Sequence, residues 1–155
     1  MKAEDQKNLL EQQYKLIKDS REVVFRFCEQ FNPSDYTKEI EGFGRGSIYN
    51  TQAHIANTYT FWVANSVMEK SLPYLKYESN DIGTICKAFD TVNSFMEEFI
   101  MDYWGNMNQT RLISVTLLQV FTHVITHEFH HKGQIMSMGR QLGYIPPDAD
   151  IIWFS

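Results

Sequence analysis

The sequence predicts an all-α fold, a four-helix bundle of long amphipathic helices crossed by an apolar C-terminal tail. Three observations support this class. Apolar residues recur at helical spacing along four long stretches, segments rich in glycine, proline or asparagine separate those stretches, and no alternating pattern typical of strands competes. The 155 residues suit a single domain, residues 1–155, large enough to bury its own core.

The first predicted helix covers residues 4–31. Asn32 and Pro33 end it, because proline disfavours a helical conformation in the residue before it. Residues 35–46 contain three glycines and predict an irregular loop without the spacing of a phosphate-binding motif. The apolar positions of this first helix are Leu9, Leu10, Tyr14, Ile17, Val24, Phe27 and Phe31.

The second predicted helix covers residues 47–70, with Ser47 as its N-cap and Pro73 closing it. His54 lies inside this helix, next to its apolar face. Residues 79–81, Ser-Asn-Asp, open a third helix that stops at residues 105–106, Gly-Asn.

The fourth predicted helix covers residues 112–142 and ends at Gly143. The tail that follows, residues 144–155, has two prolines near its start and finishes with the run Ile-Ile-Trp-Phe before the terminal serine. A segment this apolar is unfavourable in water. We therefore expect the tail to pack back across the bundle.

Composition excludes several classes of function. The net charge is −5 and no run of lysine and arginine occurs, which argues against a nucleic-acid surface or an anionic membrane partner. No apolar run approaches the ~18 residues that span a bilayer, and the N-terminus lacks the apolar core of a signal peptide. These features predict a soluble cytoplasmic protein. Cys28 and Cys86 form no CxxC pair and are expected to be reduced, packed thiols.

Four of the five histidines lie close together in the fourth predicted helix, at positions 123, 127, 130 and 131. Because each helical residue turns about 100°, His123 and His131 each fall within about 40° of His127 on the helix surface. These three imidazoles therefore share one stripe. Its other residues are mostly apolar, so we expect it to face the protein interior.

Distance along the helix limits which of these histidines can hold one ion. His123 and His131 are separated by about 12 Å along the axis, whereas two ligands of one ion lie roughly 3 Å apart. The possible pairs are His127 with His123, with His130 or with His131. His127 belongs to every pair, and the geometry leaves the choice among the three open.

A metal site needs a third ligand, and His54 is the remaining histidine of the chain. Three imidazoles would leave open positions on a divalent ion for water or substrate. The alternative is that the histidines are core or surface residues clustered by chance. Burying several imidazoles together without a metal is costly, because each ring nitrogen needs a partner.

Residues 127–131, His-Glu-Phe-His-His, also fit the H-E-x-x-H motif of zinc peptidases, in which the glutamate is the general base. Such peptidases usually supply a third ligand further along the chain. After His131 only Asp148 and Asp150 are available, and no predicted sheet could hold a peptide as an added strand. A metallohydrolase of this kind is therefore the weaker alternative.

The segment HVITHEFHHKGQIMSMGRQLGYIPPDADIIWF, residues 123–154, resembles the DinB/YfiT-like family of helical metalloenzymes. The matching pattern is His-x3-His-x2-His-His-(Arg/Lys)-Gly-Gln, followed by Leu-Gly and Pro-Pro-Asp. The stretch YNTQAHIA, residues 49–56, is a second matching element, and the helix order fits nearly the whole length.

This resemblance implies a four-helix bundle whose metal ligands are one histidine of the second helix and two of the last. The matching positions are His54, His127 and His131. His123 would lie one turn away as a group that handles protons, and His130 has no assigned role. Glu128 is a second candidate for proton transfer if its offset of about 100° from His127 lets it reach the pocket.

The resemblance also suggests chemistry, because relatives include transferases and isomerases that use low-molecular-weight thiols such as bacillithiol or mycothiol. Our first hypothesis is a metalloenzyme that activates a thiol or water for reaction with a small-molecule substrate, and the second is a metal-binding or stress-associated protein without turnover. Three imidazoles suit zinc, nickel or iron, so the sequence does not identify the metal. Leu118, Ile125, Phe129 and Met136 form a second apolar face on the fourth helix, which predicts a homodimer.

Overall fold

Helices carry most of the described chain, which in this computed structural model comprises residues 2–78 and 80–155. The predicted all-α class is confirmed in its broad form, with one small two-stranded sheet added. Among the described residues, no helix is long and apolar enough to cross a membrane. The helices are α1 (Ala3–Glu29), α2 (Pro33–Tyr36), α3 (Ile48–Tyr59), α4 (Ile82–Tyr103) and α5 (Leu117–Gln141).

Side-chain caps begin α3 and α4. The hydroxyl of Ser47 accepts a hydrogen bond from the Asn50 amide at 3.0 Å, as predicted. Asp81 caps α4 by accepting from the Thr84 amide at 3.0 Å. Ser79, the first residue of the predicted opening of this helix, lies outside the described residues.

The second predicted helix is continuous but changes its winding halfway. After Tyr59 the chain continues as a π-helix, Thr60–Val67, whose wider turn is shown by the Met68 amide donating to the Val63 carbonyl, five residues back, at 3.0 Å. The side-chain amide of Asn65 then makes two hydrogen bonds to the backbone of Leu72. Its Nδ2 donates to the Leu72 carbonyl at 2.9 Å, and its Oδ1 accepts from the Leu72 amide at 2.7 Å. These bonds fix the point at which the chain leaves the helix.

The prediction that the fourth helix begins at residue 112 is wrong. Strands β1 (Thr110–Leu112) and β2 (Val115–Thr116) form an antiparallel pair in front of it, joined through Ile113. The helix begins one residue after Thr116, whose hydroxyl accepts from the Gln119 amide while the Gln119 side chain bonds back. This capping box, together with β-branched residues that favour extended structure, places the boundary later than predicted.

The core is built from apolar side chains of the four long helices. Helix α3 packs against both α4 and α5, and α1 packs against α4. This arrangement puts α3 and α5, the helices that carry His54 and the histidine cluster, side by side. The largest fully buried side chains include Tyr14, Phe27, Tyr59, Phe89, Phe99 and Phe121.

The C-terminal tail is anchored at one residue and exposed at its end. Ala149 is buried, and its carbonyl accepts from the Ser20 hydroxyl at 2.7 Å and from the Lys132 ammonium at 3.0 Å. Ile152 and Trp153, by contrast, are 80% and 68% exposed. The tail therefore returns to α1 and α5 as expected but does not bury all of its apolar surface.

The second apolar face of α5 is partly covered by the chain itself. Ile125 is buried, Phe129 and Met136 are half-buried, and Leu118 is exposed. The Lys132 ammonium lies 4.0 Å from the centre of the Phe129 ring. The homodimer expected on this face stays a prediction.

Candidate metal centre

Three imidazoles meet where α3 packs against α5. His54 comes from the middle of α3, and His127 and His131 lie one turn apart on α5. The Nε2 atom of His127 is 3.0 Å from Nε2 of His54 and 3.1 Å from Nε2 of His131. One ring nitrogen from each residue falls within 4.8 Å of the other two.

A neighbouring side chain orients one of these rings. The Oε1 atom of Gln134 can only accept, so Nδ1 of His131 donates to it, at 2.7 Å. This bond leaves the lone pair of a neutral His131 on Nε2, directed at His127. The hydroxyl of Thr58 donates to the His54 carbonyl at 2.9 Å and lies 3.5 Å from Nε2 of His127.

The surroundings disfavour protonation of all three rings. Burial is the largest cause and lowers the pKa of His127 to about 3 and of His54 to about 4. The charges of the other histidines lower the His127 pKa further, and Arg45 does the same for His54. The pKa of His131 is also lowered, mainly by burial. Neutral imidazole is the form that binds metal ions.

The donor set fits a divalent cation. Nε2 of His127 lies 3.0 and 3.1 Å from the Nε2 atoms of His54 and His131, which is the separation expected for ligands of one ion. Nδ1 of His127 is buried, and no hydrogen-bond partner for it is found among the described residues. A cation among the three Nε2 atoms would accept a lone pair from each of them.

His123 and His130 lie beside this group but are not part of it. The His123 ring is exposed, with its centre 5.7 Å from that of His127 and 5.6 Å from that of Trp62. The His130 ring is also exposed, 5.0 Å from His131 between centres. The structure therefore brings together His54, His127 and His131, the three positions that the resemblance selected. Spacing alone had left the second ligand on the last helix open.

Glu128 points away from the imidazoles and into the core. Its Oε2 accepts from Nε of Arg21 at 2.8 Å, and its Oε1 accepts from Nη2 of Arg21 at 2.9 Å and from the Tyr59 hydroxyl at 2.5 Å. The carboxylate is 5% exposed and is not among the groups that meet at the candidate site. This placement brings Glu128 neither into the proton-transfer position considered above nor into the position of a peptidase base.

Two residues of this region were not given a role from the sequence. Gln134 shares the stripe of the histidines, and its position three residues after His131 is the signal that identifies it as an orienting partner. Arg21 lies in the apolar stripe of α1, between Ile17 and Val24, and a charge at such a position indicates a buried partner. The sequence does not identify that partner, because this depends on how α1 packs in the folded chain.

The two cysteines are free thiols. Cys28 is buried, and burial raises its pKa to about 12, while burial raises the pKa of the half-buried Cys86 to about 11. Both thiols therefore stay protonated at neutral pH, the unreactive form. Neither cysteine belongs to the group that meets at the candidate site.

Three histidines from two packed helices, in a mostly helical protein, form a site that is compatible with metal binding. The DinB family profile matches residues 4–155, and the chain belongs to the DinB family. The chain is also similar to the uncharacterized protein YizA of Bacillus subtilis (strain 168). The two are 27% identical over 142 residues, which cover 85% of this chain and 87% of the relative.

Proposed function

We propose that this protein binds a divalent metal ion through His54, His127 and His131 and uses it to activate a thiol or a water molecule. The observation that carries this proposal is the convergence of three neutral ring nitrogens, with His131 held by Gln134. The geometry is compatible with metal binding, and the chain belongs to the DinB family. Zinc, nickel and iron all accept three imidazoles.

The chemistry follows from the charge of the donor set. A divalent ion bound by three neutral imidazoles keeps its full positive charge and would supply Lewis acidity that favours the anionic form of a bound thiol or water. Residues of the chain itself would orient a ligand and exchange a proton. Gln134 fixes the direction of the His131 lone pair, and His123, exposed one turn from His127, is the group to which we assign proton exchange with solvent.

A low-molecular-weight thiol is the proposed cosubstrate, in a thiol-dependent S-transferase reaction. The two cysteines of the chain support an external thiol, because burial holds both in the protonated form. The substrate is then a small electrophile: the thiol loses its proton, its sulfur forms a bond to an electrophilic carbon, and a leaving group departs from that carbon with the bonding electrons. The four-helix bundle expected from the family would serve as the rigid scaffold.

Elemental analysis tests the metal site directly. The full chain, purified without a metal-affinity step, is expected to contain about one divalent ion per molecule. His127→Ala should lose it, because this residue contacts both other ligands. His130→Ala is the matched control, since it removes an exposed imidazole from the same helix and should retain the ion. Equal metal content in all three proteins would contradict the site assignment.

A non-catalytic metal-binding protein is the second candidate, and the position of Glu128 favours it. With this carboxylate bound to Arg21 and Tyr59, His123 is the acid–base group left beside the imidazoles among the residues considered. Metal-loaded protein assayed with several thiols and electrophiles separates the two functions. Turnover that disappears in His127→Ala supports the transferase, and metal binding without turnover supports the second candidate.

A further inference from the structure

Arg45 lies at the candidate metal site, and no counter-ion for it is found in the described part of the chain. Its Nη2 atom is 3.4 Å from Nε2 of His54, the same nitrogen that faces His127. The side chain is exposed and comes from the loop that leads into α3, two residues before the Ser47 cap. A positive charge therefore stands beside the nitrogen that the proposed function assigns to a cation.

The loop holds Arg45 near this position. Gly46 is buried, adopts a φ of 83°, and accepts a hydrogen bond from the Ile40 amide at 2.7 Å. A positive φ is unfavourable for residues with a Cβ, so glycine suits this turn. The guanidinium also lies 5.8 Å from the centre of the Tyr77 ring, within cation–π range. The loop and the Tyr77 ring thus both contribute to the position of the arginine.

None of the ion pairs found among residues 2–78 and 80–155 involves Arg45. Its guanidinium is always charged and only donates hydrogen bonds, and it cannot be a metal ligand. A divalent ion on His54 would add a second positive charge close by, and the repulsion between the two would be relieved by an anion. A negatively charged ligand at this site would therefore contact Arg45 at one end and the ion held by the imidazoles at the other.

We infer that Arg45 binds the carboxylate of a small ligand whose other end reaches the three imidazoles. A single guanidinium matches a carboxylate, because its planar fork can donate two parallel hydrogen bonds to the two oxygens. A phosphate dianion normally takes more donors than one arginine provides. This inference rests on the proposed function and specifies the substrate or cosubstrate class of the same site.

Two thiols that differ in charge test the inference on Co²⁺-loaded full chain. The probes are 3-mercaptopropionate, which carries a carboxylate, and 2-mercaptoethanol, which is neutral. Sulfur binding to Co²⁺ is followed by its charge-transfer absorption, so the readout is a dissociation constant rather than activity. Each probe is compared with itself across the variants, which removes differences in intrinsic thiol acidity.

Arg45→Gln is expected to weaken binding of 3-mercaptopropionate by about tenfold, the effect of losing one charge-assisted hydrogen-bonded contact. Binding of 2-mercaptoethanol should change by less than about twofold, within the scatter expected of such contacts. Arg45→Lys should recover part of the loss, since it restores the charge without the fork. Arg140→Gln is the matched control, because Arg140 is exposed on α5, nine residues beyond His131 and about half a turn around the helix.

The outcomes separate the inference from the proposed function. If the unmodified chain takes up no Co²⁺, the proposed function fails and the inference falls with it. If the ion binds and Arg45→Gln leaves the affinity for 3-mercaptopropionate unchanged, only the inference is overturned. Equal weakening of both probes also overturns it, because Arg45 would then act on the ion's surroundings rather than on a carboxylate.

Discussion

Arg21 and Glu128 form a buried ion pair that joins α1 to α5 next to the candidate metal site. Two nitrogens of the guanidinium contact the two carboxylate oxygens at 2.8 and 2.9 Å, and the residues are 4% and 5% exposed. The Tyr59 hydroxyl donates to the same carboxylate and adds α3 to the network. The pair therefore connects to both helices that carry the three imidazoles.

Removing one partner of this pair should be strongly destabilising. Arg21→Met leaves Glu128 buried without a counter-charge, and we expect a loss of about 3–5 kcal/mol in the free energy of unfolding, measured with urea. The control is Lys7→Met, which breaks a surface pair between the half-buried Lys7 and the exposed Glu11 at 3.6 Å and should cost less than about 1 kcal/mol. A double variant, Arg21→Met with Glu128→Leu, should lose less than Arg21→Met alone. Similar losses for Arg21→Met and Lys7→Met would contradict the role of the buried pair.

The same residues show which parts of the site could be predicted from the sequence. Spacing within one helix limited the pairs around His127, and the single remaining histidine supplied His54, because both arguments depend only on helical periodicity. The direction of Glu128 could not be predicted, since it lies about 100° from His127 and packs against whichever helix is adjacent. Its partner Arg21 is 107 residues away, and periodicity within one helix does not reveal such a contact.

The boundaries of the helices were likewise predictable only where local sequence determines them. The caps at Ser47 and near residue 81 follow from local chemistry and were predicted within a residue or two. The hairpin before α5 was missed because residues 110–116 are too few to show an alternating pattern. The π-helical turns after Tyr59 were missed because apolar spacing over eight residues hardly distinguishes them from an α-helix.

Two glycines of α5 should respond oppositely to alanine. A Cβ at Gly139 would lie 2.7 Å from two atoms of the Phe27 ring and 3.0 Å from Phe31, so Gly139→Ala is expected to destabilise the fold by about 1–3 kcal/mol through overpacking. A Cβ at Gly133 meets no atom within 4 Å, so Gly133→Ala should stabilise by about 0.4–1 kcal/mol. Urea unfolding of both variants measures the difference. The close packing of the Phe27 ring against Gly139 is contradicted if Gly139→Ala is neutral.

The stability of the metal-free protein should fall in mild acid. In the folded chain the pKa values of His54 and His127 are lowered to about 4 and about 3, whereas in the unfolded chain they are near 6.5. The unfolded state therefore binds more protons below pH 6.5, and protonation favours unfolding. We expect the free energy of unfolding to decrease progressively from pH 6.5 toward pH 4. The effect is moderate because the rings are half-exposed.

Other groups also titrate over this range, so the comparison is made between variants. Urea unfolding of chelator-treated protein at several pH values gives the slope. In His54→Gln with His127→Gln, two of the responsible groups are absent, and the decrease between pH 6.5 and 5 should be smaller. His123→Gln with His130→Gln is the matched control: it removes two exposed imidazoles and should keep most of the original slope, because burial is the largest cause of the lowered pKa values. The same slope in all three proteins would rule out the lowered pKa values as its cause.

Gln134 should control metal affinity without being a ligand. Its Oε1 accepts the Nδ1 proton of His131 at 2.7 Å and so keeps the Nε2 lone pair directed at His127. Partners of this kind typically contribute 10–100-fold to metal affinity, so Gln134→Leu should weaken zinc binding by about that factor while leaving the stoichiometry unchanged. Gln141→Leu, on the exposed end of the same helix, is the control.

The measurement is thermal unfolding against free zinc concentration, since a ligand at 100 times its Kd adds about 2.7 kcal/mol of stability. We expect the zinc-dependent rise in Tm to begin at about 10–100-fold higher zinc in Gln134→Leu, and to be abolished by chelator in every variant. Identical zinc dependence in Gln134→Leu and Gln141→Leu would show that the hydrogen bond to His131 does not orient a ligand.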